Sequence, residues 1–102
     1  MTVLQDLTGR LIRFPEERLA HVLEHPEMEG QTDKVAETLA APDGIIESRH
    51  DATVHLYYRL YDETPVTQKF LLVAVKLLDD DAFIITAFLT SRAPKGAIVW
   101  HR

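Results

Sequence analysis

The stretch Lys69-Phe70-Leu71-Leu72-Val73-Ala74-Val75-Lys76-Leu77-Leu78-Asp79-Asp80-Asp81-Ala82-Phe83-Ile84-Ile85-Thr86-Ala87-Phe88-Leu89-Thr90 decides the fold. Two nearly continuous apolar runs flank three consecutive aspartates. Runs of this length, apolar on both faces and rich in β-branched and aromatic side chains, read as buried strands. The aspartates form a solvated turn, so the runs fold back on each other at the centre of a sheet. They lack the spacing and closing glutamate of a calcium loop. Lys76 and Thr86 are the polar intrusions.

Working outward, Thr53–Tyr61 alternates with period two. Val54, Leu56, Tyr58 and Leu60 are expected on the core face. His55, Tyr57, Arg59 and Tyr61 are expected on a solvated or functional face. Asp62-Glu63-Thr64-Pro65 links this strand to the central pair. Ile45–Arg49 reads as a short strand, and His50-Asp51-Ala52 as a turn. Downstream, Ser91–Gly96 is a loop carrying Arg92, Pro94 and Lys95, and Ala97–Trp100 is a closing strand.

Before residue 45 the period is helical. Pro15 suits a first helical position, with Glu16 and Glu17 at the positive end of the dipole. Leu19, Val22 and Leu23 form the apolar stripe, and Pro26 ends the helix by disfavouring helical geometry at His25. A second helix is expected from Thr32, whose hydroxyl can cap it, burying Val35, Ala36, Leu39 and Ala40. Pro42-Asp43-Gly44 is a turn in which glycine accepts positive φ. Val3–Leu7, Thr8-Gly9 and Arg10–Arg13 are weak hairpin material. Helices first and hairpin-linked strands after give an α+β class: two N-terminal helices on a curled antiparallel sheet of four to five strands.

A chain of 102 residues with 46% apolar content is one domain with a core of its own. It has no cysteine, which excludes disulfides, thiolate metal sites and thiol catalysis. No apolar run approaches the roughly 20 residues that span a bilayer, and the N-terminus lacks the pattern of a secretory signal. A soluble, cytoplasmic protein without membrane attachment is the expectation. Residues 1–46 hold nine acids and four bases, and residues 47–102 seven of each, so the whole net charge of −5 lies in the first half. That balance argues against a broad nucleic-acid surface and leaves room for a local cationic patch in the second half.

His21 and His25 lie one helical turn apart, which puts both imidazoles on one side. The segments His21-Val22-Leu23-Glu24-His25-Pro26-Glu27, Leu56-Tyr57-Tyr58-Arg59, Val73-Ala74-Val75-Lys76, Phe83–Thr90 and Lys95-Gly96 before Trp100 occur in that order. In this order, over roughly residues 6–100, the chain resembles the phage-associated domains of the barnase–EndoU–colicin–RelE-like nuclease fold. The resemblance implies metal-independent RNA cleavage at the concave face of a curled sheet.

Such cleavage needs a base for the 2′-hydroxyl, an acid for the departing 5′-oxygen and cations for the phosphorane. His21 and His25 are the candidate base and acid, and Arg59 and Lys76 the catalytic cations. Arg49, Tyr57, Thr86, Thr90, Ser91 and Lys95 are candidates for substrate binding, Tyr57 by stacking a base. No cofactor or metal is expected: the His-x-x-x-His pair lacks the glutamate of the zinc-protease motif, and no third ligand is evident. An RNA substrate and a protein partner such as an antitoxin are the expected partners.

Each residue also has an ordinary reading. The histidines can be a surface pair bonded to Glu24, Lys76 a structural ion pair, Tyr57 and Tyr61 strand formers, and Trp100 a core or edge anchor. The alternative function is a non-catalytic interaction or binding domain on the same scaffold. Its acidic helical layer would engage a basic protein, or its exposed sheet edges would pair two copies.

Overall fold

The computed structural model describes residues 2–102. Strands β1 (Thr2–Gln5) and β2 (Leu11–Phe14) come first, then helices α1 (Glu16–Leu23) and α2 (Thr32–Ala40), with a 3₁₀ turn at Pro26–Met28 between them. Strands β3 (Gly44–Glu47), β4 (Val54–Tyr61), β5 (Lys69–Leu77), β6 (Ala82–Thr90) and β7 (Ala97–His101) follow. All seven join one sheet in the order β1-β2-β6-β5-β4-β3-β7. The expected central pair is therefore central.

Two parts of the expected fold are corrected. The sheet has seven strands rather than four to five, and the helices follow two strands instead of opening the chain. It is also mixed, because β2 meets β6 in parallel through the single pair Arg13↔Phe83. The hairpin reads only weakly in the sequence because its strands are four residues long and bury only Ile12 and Phe14, leaving little periodicity.

Both helices pack on one face. Val22 of α1, Met28 of the 3₁₀ turn, and Val35 and Leu39 of α2 meet Ile12, Phe14, Ile45, Tyr57, Leu71, Val73, Val75, Ile84 and Ala87 in the core. Pro15 occupies the cap position just before α1, and the extended backbone of His25 before Pro26 ends it as expected. Helix α2 starts at Thr32, but no side chain caps it. Its buried residues are Val35, Thr38 and Leu39, while Ala40 is exposed. Thr38 is tolerated in the core because its hydroxyl donates to the Lys34 carbonyl at 2.8 Å and lies 3.1 Å from the Tyr61 hydroxyl.

The two faces of β4 are the reverse of the expectation. Tyr57, 1% exposed, points into the core, whereas Leu60 is 40% exposed on the opposite face. Tyrosines can line a core when their hydroxyls find partners. Tyr57 donates to Asp6, and Tyr61 to the Lys34 carbonyl at 3.2 Å. Burial pushes the Tyr61 phenol up to about 12.

The far face carries Ile46, Leu56, Tyr58, Phe70, Leu72 and Ala74, and no helix covers it. Strands β6 and β7 run parallel with three strands between them, so Ser91–Gly96 must cross that face. At the end of the crossover a Cβ on Gly96 would stand 2.8 Å from Ile46 Cγ2. Ile46, Leu72 and Ala74 are nonetheless buried, and the Tyr58 and Phe70 rings, 5.9 Å apart, lie on the same face. Gly44 does not have positive φ, contrary to the turn reading; a Cβ there would stand 2.7 Å from the Tyr58 Cζ. The position requires glycine because the ring lies across it.

Candidate functional site

The sheet curls toward its helices, as right-handed twist and bulges promote. One bulge leaves Ile85 unpaired in β6, between the pairs Ala74↔Thr86 and Val75↔Ile84. The curl brings the β1–β2 turn across the helix-side face as far as β4. There the Tyr57 hydroxyl donates to Asp6 Oδ2 at 2.7 Å. Asp6 Oδ1 accepts from the Thr8 amide at 2.8 Å, the Thr8 hydroxyl at 2.7 Å and the Arg10 amide at 3.1 Å. Burial pushes the Asp6 carboxyl up, but these bonds outweigh it and hold the group below its ordinary range. Burial, aided by the bond to Asp6, pushes the Tyr57 phenol up.

Beside this clasp lies a cavity of about 300 Å³ lined by Leu7, Thr8, Arg10, Ile45, His55, Tyr57, Val99 and Trp100. A second bulge shapes it. Ile46 pairs with Ile98 and Ile45 with Trp100, leaving Val99 as the extra residue of β7. Regular alternation would put Trp100 on the same face as Ile98; the bulge turns its indole to the Ile45 side, toward the cavity. His55 is held below the ordinary imidazole range by burial first and by the Arg10 guanidinium second, against a smaller opposite pull from Glu47. Arg10 forms no salt bridge among the described residues.

The residues expected to carry catalysis occupy separate places. His21 and His25 are together on α1 and its end, with rings 6.2 Å apart and nearly perpendicular. His21 Nδ1 is 3.4 Å from Glu24, and His25 Nδ1 is 4.0 Å from Glu27. Arg59 donates to the Ala41 carbonyl at 2.6 Å, lies 3.8 Å from Glu37 and covers the Tyr61 ring. Lys76 donates to Asp51 at 2.9 Å and Thr53 at 2.6 Å. The pairs Arg59↔Leu71 and Val54↔Lys76 put the two cations on opposite faces of the sheet. They are also about 17 Å apart along the strands, at about 3.4 Å per residue.

Of the substrate-binding candidates, Tyr57 is in the core and Arg49 is exposed in the β3–β4 turn. Thr86 and Thr90 share the Lys76 face, opposite Ala74 and Phe70. Ser91 accepts from Lys69 at 2.7 Å, and Lys95 is exposed on the crossover. The concave face is filled by helices and core side chains. Among the described residues no cluster of three or more His, Cys, Asp or Glu could hold a metal. Nor, among the described residues, is any helix long and apolar enough to cross a membrane.

Sequence reasoning missed Arg10, His55 and Trp100 as one group. The period-two pattern of Thr53–Tyr61 did set His55 beside Tyr57, which is the one signal the sequence holds. Comparison with protein-family models, curated proteins and solved structures returned no match.

Proposed function

We propose that this chain is a non-catalytic binding domain that holds a small organic ligand in the cavity between the β1–β2 turn and β7. The observation that carries this reading is the makeup of the cavity. Its walls, Leu7, Ile45, Val99 and Trp100, are mostly apolar, and its polar groups are few and converge: Arg10, Thr8, His55 and the Tyr57–Asp6 clasp. Ligand sites have this character, with apolar area supplying affinity and a few polar groups fixing orientation.

The cavity has no pair suited to acid–base cleavage. His55 is its one imidazole, and both oxygens of Asp6 already accept hydrogen bonds. The RNA-cleavage reading needs Arg59 and Lys76 around one phosphate, and their faces point apart.

The test is a two-dimensional NMR titration with fragment-sized organic compounds, run beside incubation with single-stranded RNA in a chelator. The expected result is a group of shifts at Thr8, Arg10, His55 and Trp100 with some compounds, and intact RNA. Cleavage giving a 2′,3′-cyclic phosphate, or amides at these positions that respond to no compound, would defeat the reading.

A further inference from the structure

The cavity is specific enough to define a ligand class, and this step rests on the binding-domain reading. We propose that the ligand is a small monocarboxylate with a flat apolar body, its carboxylate paired with Arg10 and its body held against Trp100 and Ile45.

Size comes first. About 300 Å³ is at the small end of ligand pockets, and it admits roughly one ring with a short side group. Shape comes next. The indole of Trp100, turned inward by the bulge at Val99, offers a flat surface beside its cross-strand neighbour Ile45.

Charge narrows the class further. Arg10 is the only charged residue lining the cavity, and it has no ion-pair partner among the described residues. A guanidinium fork matches the two oxygens of a carboxylate. No carboxylate lines the cavity to balance a ligand ammonium, and both oxygens of the adjacent Asp6 already accept from Thr8, Arg10 and Tyr57.

A second negative charge would meet repulsion. On its other side Arg10 lines a cleft with Asp79, Asp80 and Asp81, of which only Asp81 is paired, to Arg13. Glu47 stands across from His55 on β3. One negative charge is what Arg10 can balance in these surroundings. His55 lines the same cavity and can supply an N–H donor.

Four ligands of similar size, compared at about pH 8.5 so that the phosphonate carries two charges, separate the outcomes: phenylacetate, the neutral phenylacetamide, the cationic 2-phenylethylammonium and the dianion of phenylphosphonate. The full chain is titrated by the fluorescence of Trp100, its single tryptophan, with NMR shifts as a second readout. Phenylacetate should bind saturably, with Kd on the order of 0.1–1 mM for so small a ligand. Phenylacetamide and phenylphosphonate should bind at least about tenfold more weakly, and the ammonium not at all. Arg10→Met should erase the preference, and Arg10→Lys should keep part of it; Arg10 is exposed, so both variants should fold. Equal binding of phenylacetamide, or preference for the ammonium or the phosphonate, would overturn the ligand class while leaving the binding-domain reading in place. No response to any of the four, together with no response to the wider fragment set, would overturn both.

Discussion

Replacing Tyr57 by phenylalanine removes one oxygen and leaves the ring in place. The hydroxyl it removes is the donor to Asp6 Oδ2, at 2.7 Å, on a carboxylate that is 7% exposed. Oδ1 keeps its three donors from Thr8 and Arg10, so the loop stays shaped while Oδ2 loses its protein partner. A hydrogen bond to a charged group contributes about 1.5–3 kcal/mol, and stranding a buried acceptor puts the cost toward the upper end. In a domain of this size each kcal/mol moves the melting midpoint by roughly 4–8 °C, so Tyr57→Phe should lower it by roughly 6–24 °C.

Thermal unfolding followed by circular dichroism measures this directly, with Tyr58→Phe as the control. The Tyr58 side chain bridges Gly44 and Phe70 from the far face, so losing its hydroxyl should cost under about 0.5 kcal/mol. The pH dependence is a second check. The Asp6 carboxyl is held below its ordinary range in the fold. Its contribution is therefore complete above the unfolded carboxyl range and is lost as pH falls through the depressed folded value. The gap between wild type and Tyr57→Phe should accordingly narrow as the pH approaches 3. A shift below about 2 °C at neutral pH, or a gap that widens on acidification, would refute the idea that this bond fastens the hairpin across the sheet.

Two more outcomes follow from local geometry. Gly44→Ala would press a methyl against the Tyr58 ring, whose Cζ and Cε1 lie 2.7 and 2.8 Å from an ideal Cβ, and should cost about 1–3 kcal/mol in urea unfolding. Tyr58→Ala should absorb most of that penalty in a double-mutant cycle. Arg13 makes a two-point bond to Asp81 at 2.8 and 2.6 Å, beside the one residue pair that joins the hairpin to β6. Arg13→Met should speed amide exchange across Val3–Phe14 and leave β4 and β5 protected; uniform protection would show that the clasp at Tyr57 holds the hairpin without help.

The parts legible in the sequence are those where one pattern dominates. The apolar runs on either side of Asp79–Asp81 could be little other than adjacent strands, and they form an eight-pair ladder at the centre of the sheet. Pro26 and the stripe through Val22 place the first helix to within a residue or two. The faces of β4 were not legible, because Val-Leu-Tyr-Leu is the more apolar set, yet His-Tyr-Arg-Tyr holds the two tyrosines that pack with the core. The choice was made by remote partners, Asp6 for Tyr57 and Thr38 for Tyr61. The bulge at Val99 inverted the side chains beyond it, which period-two counting cannot foresee. The candidate site failed for a related reason. Spacing on one helix gathered His21 and His25 correctly, but whether Arg59 and Lys76 share a face depends on five residues of register along one hairpin. Arg10, His55 and Trp100 are about 45 residues apart each, and only the curl brings them together.

The crossover at Ser91–Gly96 has a thermodynamic consequence. Strand β7 reaches its place only by that bridge, and with Trp100 it brings one wall of the cavity. A molecule whose tail has come loose has no cavity, so seating the tail and creating the pocket are a single equilibrium. Any molecule that occupies the pocket acts as a latch, drawing free energy from its own concentration to keep the last strand fastened.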